Sequence, residues 1–452
     1  MTAHDHSQFS TASSDRPPAS DVSPWVGLVG LAGLFAWIAF CRNYPAIATA
    51  LDLPGPREVM SGPYASLVAL LCAALPMVAW SVVVDKVHRN PSTGIVWGEG
   101  RKWGADWRTS ATKIIGLWAT FAVIAALYCL ARWYWGGAYL FAMKILGAAI
   151  IPIAIATVPY VLWIDRYMKQ PRDAAWHFGA LLTRQAGWDR DTLAKHWRAW
   201  IIKGFFTAFM LSIVPGGFAF IVEHDLSDIA SNPVVLATLC IELLFVIDVQ
   251  IGTVGYLLTM RPLDAHIRSG NPFLAGWIAA LACYPPLAWG VMGDNGIFNY
   301  QVNTRGWDVW LADSTIALTL WGAMLVALTA MYAWATVAFG IRFSNLTYRG
   351  VITNGPYRFT RHPAYLSKNL FWWCATMPFF VVGASPVDAI RNTAFLACIS
   401  ALYYWRARTE EAHLLAEDPK YRAYYDWMAE HGVITSRMER VVRKFRPKPV
   451  AA

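Results

Sequence analysis

Charge is what this sequence has least of. Asp, Glu, Lys and Arg together make up 15% of its 452 residues, against about 25% in ordinary soluble domains, so a chain of this length could not cover a water-facing surface. The shortage excludes a soluble globular enzyme. It equally excludes a disordered chain, which needs low hydrophobicity, and a long coiled coil, which needs charged heptads. Clustered thiols are missing too. The seven cysteines, Cys41, Cys72, Cys129, Cys240, Cys283, Cys374 and Cys398, all lie in apolar runs without C-x-x-C spacing, so they read as small buried hydrophobes rather than a disulfide framework or a metal site. A basic leading region is absent as well. Residues 1–23 set Arg16 against Asp5, Asp15 and Asp21, so the first apolar run reads as a retained helix, not a signal peptide.

What is abundant is apolar and aromatic: 56% hydrophobic residues and 24 tryptophans, the latter typical of membrane interfaces. Apolar runs long enough for a core of about 30 Å occur at 24–42, 62–84, 111–131, 137–165, 199–221, 229–259, 273–293, 312–340, 367–384 and 386–405. The expected fold is all-α, a polytopic transmembrane helical bundle of about ten spans. Lys and Arg concentrate in the even-numbered loops, for example Lys86, Arg89 and Arg101 after the second run and Arg342, Arg349 and Arg358 after the eighth. The positive-inside rule places those loops and both termini in the cytoplasm. The net charge of +9 is then topology and anionic-lipid contact, not nucleic-acid binding. Between Arg166 and Arg198, Trp176, Leu181, Leu182 and Trp197 suggest interfacial amphipathic helices, with Asp189 and Asp191 as caps.

Four polar side chains fall inside apolar runs: Lys144 in the fourth, and Glu242, Asp248 and Gln250 in the sixth. The expected arrangement is an ion pair of Lys144 with Glu242 or Asp248; a polar cavity or proton path is the other reading.

Two stretches carry chemistry. The first runs from Arg349 to Tyr365 (RGVITNGPYRFTRHPAY), a loop marked by Gly355-Pro356 and Pro363 that gathers Arg358, Arg361 and His362 with Tyr357 and Tyr365. The second runs from Trp405 to Leu415, where Arg406 and Glu410 are four apart on a helix and share a face. Together they resemble the isoprenylcysteine carboxyl methyltransferase and phospholipid methyltransferase superfamily of integral membrane enzymes. Its G-x-Y-x-x-x-R-H-P-x-Y is met by Gly355, Tyr357, Arg361, His362, Pro363 and Tyr365, its R-x-x-x-E-E by Arg406, Glu410 and Glu411, and its closing Y-x-x-Y by Tyr421 and Tyr424.

The resemblance implies S-adenosylmethionine as cofactor, held by Arg349, Gly350, Val351, Ile352, Tyr357, His362, Pro363, Ala364, Tyr365, Glu410 and Glu411, and a hydrophobic or lipid-like methyl acceptor. Arg406, facing the acceptor, His362 and Arg361 are the expected catalytic side chains, and no metal is implied. The chain then divides into a polar tail (1–23), an N-terminal membrane region of about seven spans and no assigned role, where an acceptor cavity would fit (24–310), the catalytic region of the resemblance (311–435) and a basic tail (436–452) suited to anionic lipid. Ser367 departs from the family, which commonly has glycine there. A membrane sterol or ene reductase using NADPH is a rival, but its usual R-H-x-N-Y-x-G-D loop is not matched by Pro363-Ala364-Tyr365-Leu366-Ser367-Lys368. A transporter or lipid-binding scaffold built on the sixth run is the non-enzymatic reading.

Overall fold

The computed structural model describes residues 16–293, 296–437 and 440. Most of the basic tail, including Arg443, Lys444, Arg446 and Lys448, lies outside the described residues, as does most of the polar N-terminal tail.

The chain is mostly helical. In order it forms α1 (Pro24–Ala50), α2 (Pro63–Ala79, continued by a π turn at Trp80–Val84), α3 (Trp107–Leu130), α4 (Tyr139–Ile164), α5 (Ala174–Leu182), α6 (Arg190–Glu223) and α7 (Pro233–Leu257). After these come α8 (Leu274–Leu281), α9 (Leu287–Val291), α10 (Trp307–Trp310), α11 (Thr315–Phe339), α12 (Pro363–Thr376), α13 (Pro386–Glu417) and α14 (Pro419–His431). Four starts are written locally as a polar cap followed by proline: Ser23-Pro24, Asn232-Pro233, Ser385-Pro386 and Asp418-Pro419. The cap oxygen takes an orphan N–H, and proline loses nothing at the first helical position.

Among the described residues, seven helices are long and apolar enough to cross a membrane: α1, α2 with its π turn, α3, α4, α6, α7 and α11. That is the pattern of a multi-pass membrane protein, with fewer such helices than the ten expected runs. The run at 273–293 is broken into α8 and α9 around Pro285-Pro286, where proline denies a helical hydrogen bond and clashes with the preceding turn. In the ninth run α12 has only 14 residues, about 21 Å of helix, and stops at Met377 because Pro378 disfavours helix at the residue before it. The tenth run lies in α13, whose 32 residues carry Asp388, Arg391 and Asn392 in the first two turns and end among charges.

The basic loops meet one another on one face. Asn90 and Ser92, after α2, donate to Asp264, after α7, at 3.0 and 2.7 Å, and Arg342, after α11, donates to the same carboxylate at 2.8 Å. Ile95 bridges Met168, after α4. At the opposite end Arg42 of α1 donates to the carbonyl of His224, after α6, at 2.9 Å.

The core joins α1, α2, α6, α7 and α11 through Leu34, Met77, Phe218, Ile251 and Val337. α5, in the stretch expected to hold amphipathic helices, packs one face on α3: a Cβ on Gly179 would meet the Thr112 carbonyl at 1.8 Å, so only glycine permits the crossing. One expectation changes. Lys144 sits on the exposed face of α4, and among the described residues it pairs with neither Glu242 nor Asp248. Asp248 is instead hydrogen-bonded by the Thr336 hydroxyl of α11.

Candidate active site

The loop from α11 to α12 is fastened to neighbouring segments where it begins to line the cavity. Thr347–Tyr348 pair antiparallel with Ser269–Gly270. The next residue, Arg349, sends its guanidinium to five backbone carbonyls: Gly255, Phe343, Leu258 and Ile341 at 2.8–3.0 Å, and Ala265. These carbonyls lie at the end of α7 and α11, so Arg349 binds two helix ends to one loop. Burial, with Arg342 beside it, pushes its pKa down to about 9. Its guanidinium is thus engaged by the fold, while the residue also lines the cavity next to Gly350.

Gly350 follows with φ +121°, a backbone few other residues adopt, and a Cβ there would meet Arg342 Nη1 at 2.6 Å. Val351 donates its N–H to Asp21 Oδ2 at 2.7 Å and accepts from the Asp21 N–H at 2.9 Å. Thr353 Oγ1 donates to the Pro18 carbonyl at 2.7 Å, and Asn354 Nδ2 to that of Val22 at 2.8 Å. Residues before α1, read from the sequence as a polar tail, thus form one wall of the loop.

On α13 the two adjacent glutamates part, because successive helical residues point about 100° apart. Glu410 lines the cavity, accepting from the Tyr365 hydroxyl at 2.5 Å and from Arg406 Nε at 3.3 Å. Glu411 turns into the protein and takes Arg361 Nε at 3.2 Å, His362 Nε2 at 3.0 Å and Arg408 Nη1 at 2.5 Å. Burial alone would raise the Glu411 pKa, but His362, Arg361 and Arg408 together hold it below the ordinary carboxylate range. Arg361 also stacks on the Tyr425 ring, 3.8 Å from its centroid. Glu411, Arg361 and His362 form the bolt between loop and helix.

The cavity so framed is lined by Arg349, Gly350, Val351, Ile352, Tyr357, Arg361, His362, Ala364, Tyr365, Arg406 and Glu410 among others. Pro363 and Glu411, also expected at the cofactor, are not among its lining residues. Arg406 is 2% exposed, its guanidinium donating to Asn345 Oδ1 at 2.7 Å and to the Tyr284 hydroxyl at 3.4 Å and lying over the rings of Tyr284, Tyr365 and Tyr403. It is a buried, fully engaged cation. Ser367 folds its hydroxyl back onto the Pro363 carbonyl at 2.8 Å, so it adds no bulk toward the cavity.

Residues 316–416 match the isoprenylcysteine carboxyl methyltransferase (ICMT) family. The match supports a membrane methyltransferase of the ICMT type. No curated protein and no solved structure matches the chain. The ICMT-like region takes in nearly all of α11, the whole loop, α12 and all but the last residue of α13. It leaves out α14, which nevertheless closes the loop through Tyr424, whose hydroxyl donates to the Tyr357 carbonyl at 2.7 Å.

The donor set suits S-adenosylmethionine: a carboxylate at Glu410 for an ammonium, and the Tyr357 and Tyr365 faces with backbone at Gly350–Ile352 for a nucleoside. The cavity holds about 150 Å³, less than drug-sized pockets of about 300 Å³ and more. Sequence reasoning missed Tyr284, Tyr332, Asn345, Lys368 and His413, which also line the cavity. None lies at a motif position, and only Lys368, a charge in an apolar run, carried a signal. His413 Nε2 shares a hydrogen bond with Ser269 Oγ at 2.9 Å, and burial, with Arg198 adding to it, pushes its pKa down to about 4.

Proposed function

We propose that the protein is an S-adenosylmethionine-dependent methyltransferase acting on a lipid-like acceptor at the cytoplasmic membrane face. The observation that carries the reading is the separation of Glu410 from Glu411: one carboxylate faces the cavity with Tyr357, Tyr365 and Gly350–Ile352, while its neighbour locks the loop. The basic loops gathered around this face support its cytoplasmic side.

When bound, the cofactor supplies an electrophilic methyl group on a sulfonium. Glu410 would hold its ammonium, with the Tyr365 hydroxyl fixing the carboxylate's orientation. Tyr357, Tyr365 and Val351 would enclose the nucleoside and exclude water. His362 and Arg361 act as positioning residues through Glu411. Arg406 holds Asn345 and Tyr284 where the acceptor must approach. An in-line displacement needs little more than such placement and exclusion of water.

The test is thermal unfolding of the detergent-solubilised full chain. S-adenosylhomocysteine at a hundredfold excess over its Kd should stabilise it by about 2.7 kcal/mol, and Glu410→Gln should weaken that binding strongly in a folded protein. Stabilisation by NADPH alone would replace this reading with a reductase, and stabilisation by neither would remove the cofactor assignment.

A further inference from the structure

A second cavity, of about 360 Å³, lies against the first. It is framed by α6, α7 and the break between α8 and α9, which lie outside the ICMT-like region, and by α11, the loop after it and α12, which lie inside it. Tyr284, Tyr332, Phe343, Asn345 and Lys368 line both cavities. Its volume falls in the range of ligand pockets.

The walls are apolar with a few polar groups. Phe209, Ile213 and Val214 come from α6, and Phe245, Val246 and Val249 from α7. Glu242, Val246 and Val249, at i, i+4 and i+7, share one face of α7. Gln250 is 1% exposed, lines the cavity, and neither its Oε1 nor its Nε2 has a hydrogen-bond partner. A buried amide with both ends unpartnered is rare in native proteins unless a ligand or water completes it. Glu242 pairs with no cation among the described residues. Asp248 is held by the Thr336 hydroxyl and by that of Tyr332. Lys368, the cation on the lining, lies near the rings of Tyr332, Trp372 and Tyr403, at 5.2–5.9 Å from their centroids, and its charge faces Asp248. With that charge set against Asp248, the Glu242 carboxylate and Gln250 Oε1 weight the remaining polar lining toward hydrogen-bond acceptors, with Gln250 Nε2 as a donor.

We propose that this second cavity binds the methyl acceptor, an amphiphile with an apolar body and a hydrogen-bond-donating head, an amine or a hydroxyl. The proposal rests on the methyltransferase reading. The body lies along α6 and α7, and the head reaches Gln250, Asp248 and the wall shared with the first cavity. In the transfer the bond from the head's nitrogen or oxygen to the methyl carbon forms as the sulfur–methyl bond breaks. The sulfonium becomes a neutral thioether, and the proton given up by the head passes to the Asp248 carboxylate.

The test uses the full chain in detergent with a diazirine-bearing hexadecylamine as photo-crosslinking probe. Crosslinks should map to residues 209–217 and 242–250. Unlabelled hexadecylamine and hexadecan-1-ol should compete, and hexadecane and palmitate should not. Gln250→Leu and, independently, Ile213→Trp should cut crosslinking at least about fivefold, as expected for losing a buried hydrogen bond or the room. S-adenosylhomocysteine affinity, measured by calorimetry, should stay unchanged in both variants and show that they are folded. Crosslinks confined to outward-facing surfaces without competition, or undiminished in both variants, would overturn the cavity assignment. Equal competition by palmitate would overturn the head-group chemistry. Labelled methyl from S-adenosylmethionine should appear on the bound amine or alcohol; cofactor binding and cavity crosslinking with neither product would overturn the acceptor role. Absence of cofactor binding to the wild type would instead sink the methyltransferase reading, and crosslinking reports on the cavity separately from it.

Discussion

Asp21 and Lys420, 399 residues apart in the chain, form an ion pair at 2.5 Å, and the other Asp21 oxygen takes the Val351 N–H at 2.7 Å. One carboxylate before the first helix thus ties the loop between α11 and α12 to α14. Both side chains are partly exposed, so the pair itself adds at most about 1 kcal/mol to stability. Its effect is local. Asp21→Asn should leave the melting temperature nearly unchanged while hydrogen exchange at residues 349–354 rises and S-adenosylhomocysteine affinity shifts. Unchanged exchange there would show that the loop is held by Arg349 and Glu411 without help from the N-terminal segment.

Arg349 separates a structural part from a cofactor part. Replacing it by lysine keeps a charge but supplies a point donor where a planar fork meets five carbonyls. Arg349→Lys should cost on the order of 3–5 kcal/mol as several carbonyls lose their partner, read as a large fall in thermal midpoint. A mutant of wild-type stability that has lost cofactor affinity would mean that Arg349 acts at the cofactor and not through the fold.

For Arg406 the expectation is the reverse. Arg406→Lys loses the contact to Asn345 and the stacking on three tyrosines, and with them the shape of the wall between the two cavities. Methyl transfer should fall at least about tenfold, as expected for a lost charge-assisted hydrogen bond, while cofactor affinity changes little. Parallel loss of both would mean that Arg406 acts by holding Glu410.

Acid sensitivity should come partly from buried histidines. His413 is pushed to about 4 by burial and Arg198. His266 is pushed to about 3 by burial, Arg261 and Arg268, with Asp264 opposing them. The unfolded chain binds these protons near pH 6.5, so it takes up more protons than the folded one between about pH 6.5 and 4. Stability should fall as pH drops through that window, by up to about 1.4 kcal/mol per pH unit for each group. Below about pH 4.5 Glu411 adds a loss of the same sign as it is protonated. Thermal midpoints of the wild type and His413→Asn between pH 7 and 4.5 check this; parallel curves would exclude His413 as a contributor.

The charge deficit and the apolar runs determined the class of this protein without any coordinates, because a surface in lipid and a surface in water demand different compositions. Helix starts were legible for the same local reason, a cap and a proline needing nothing from the rest of the chain. The two motif stretches also stood out, and the i, i+4 spacing already placed Arg406 beside Glu410. Tertiary structure alone decided what each side chain does there. Arg349 and Arg361 look alike in a string of letters; one faces five carbonyls and the other a carboxylate, since helix ends brought together from distant segments supply those partners. Tyr284 reaches the site only because the chain breaks at Pro285-Pro286 and lays that turn against the loop. Gln250 reads as one polar residue in an apolar helix until packing shows it buried, unpartnered and facing a cavity. Spacing along a helix is local geometry, whereas burial and partnership are properties of the whole fold.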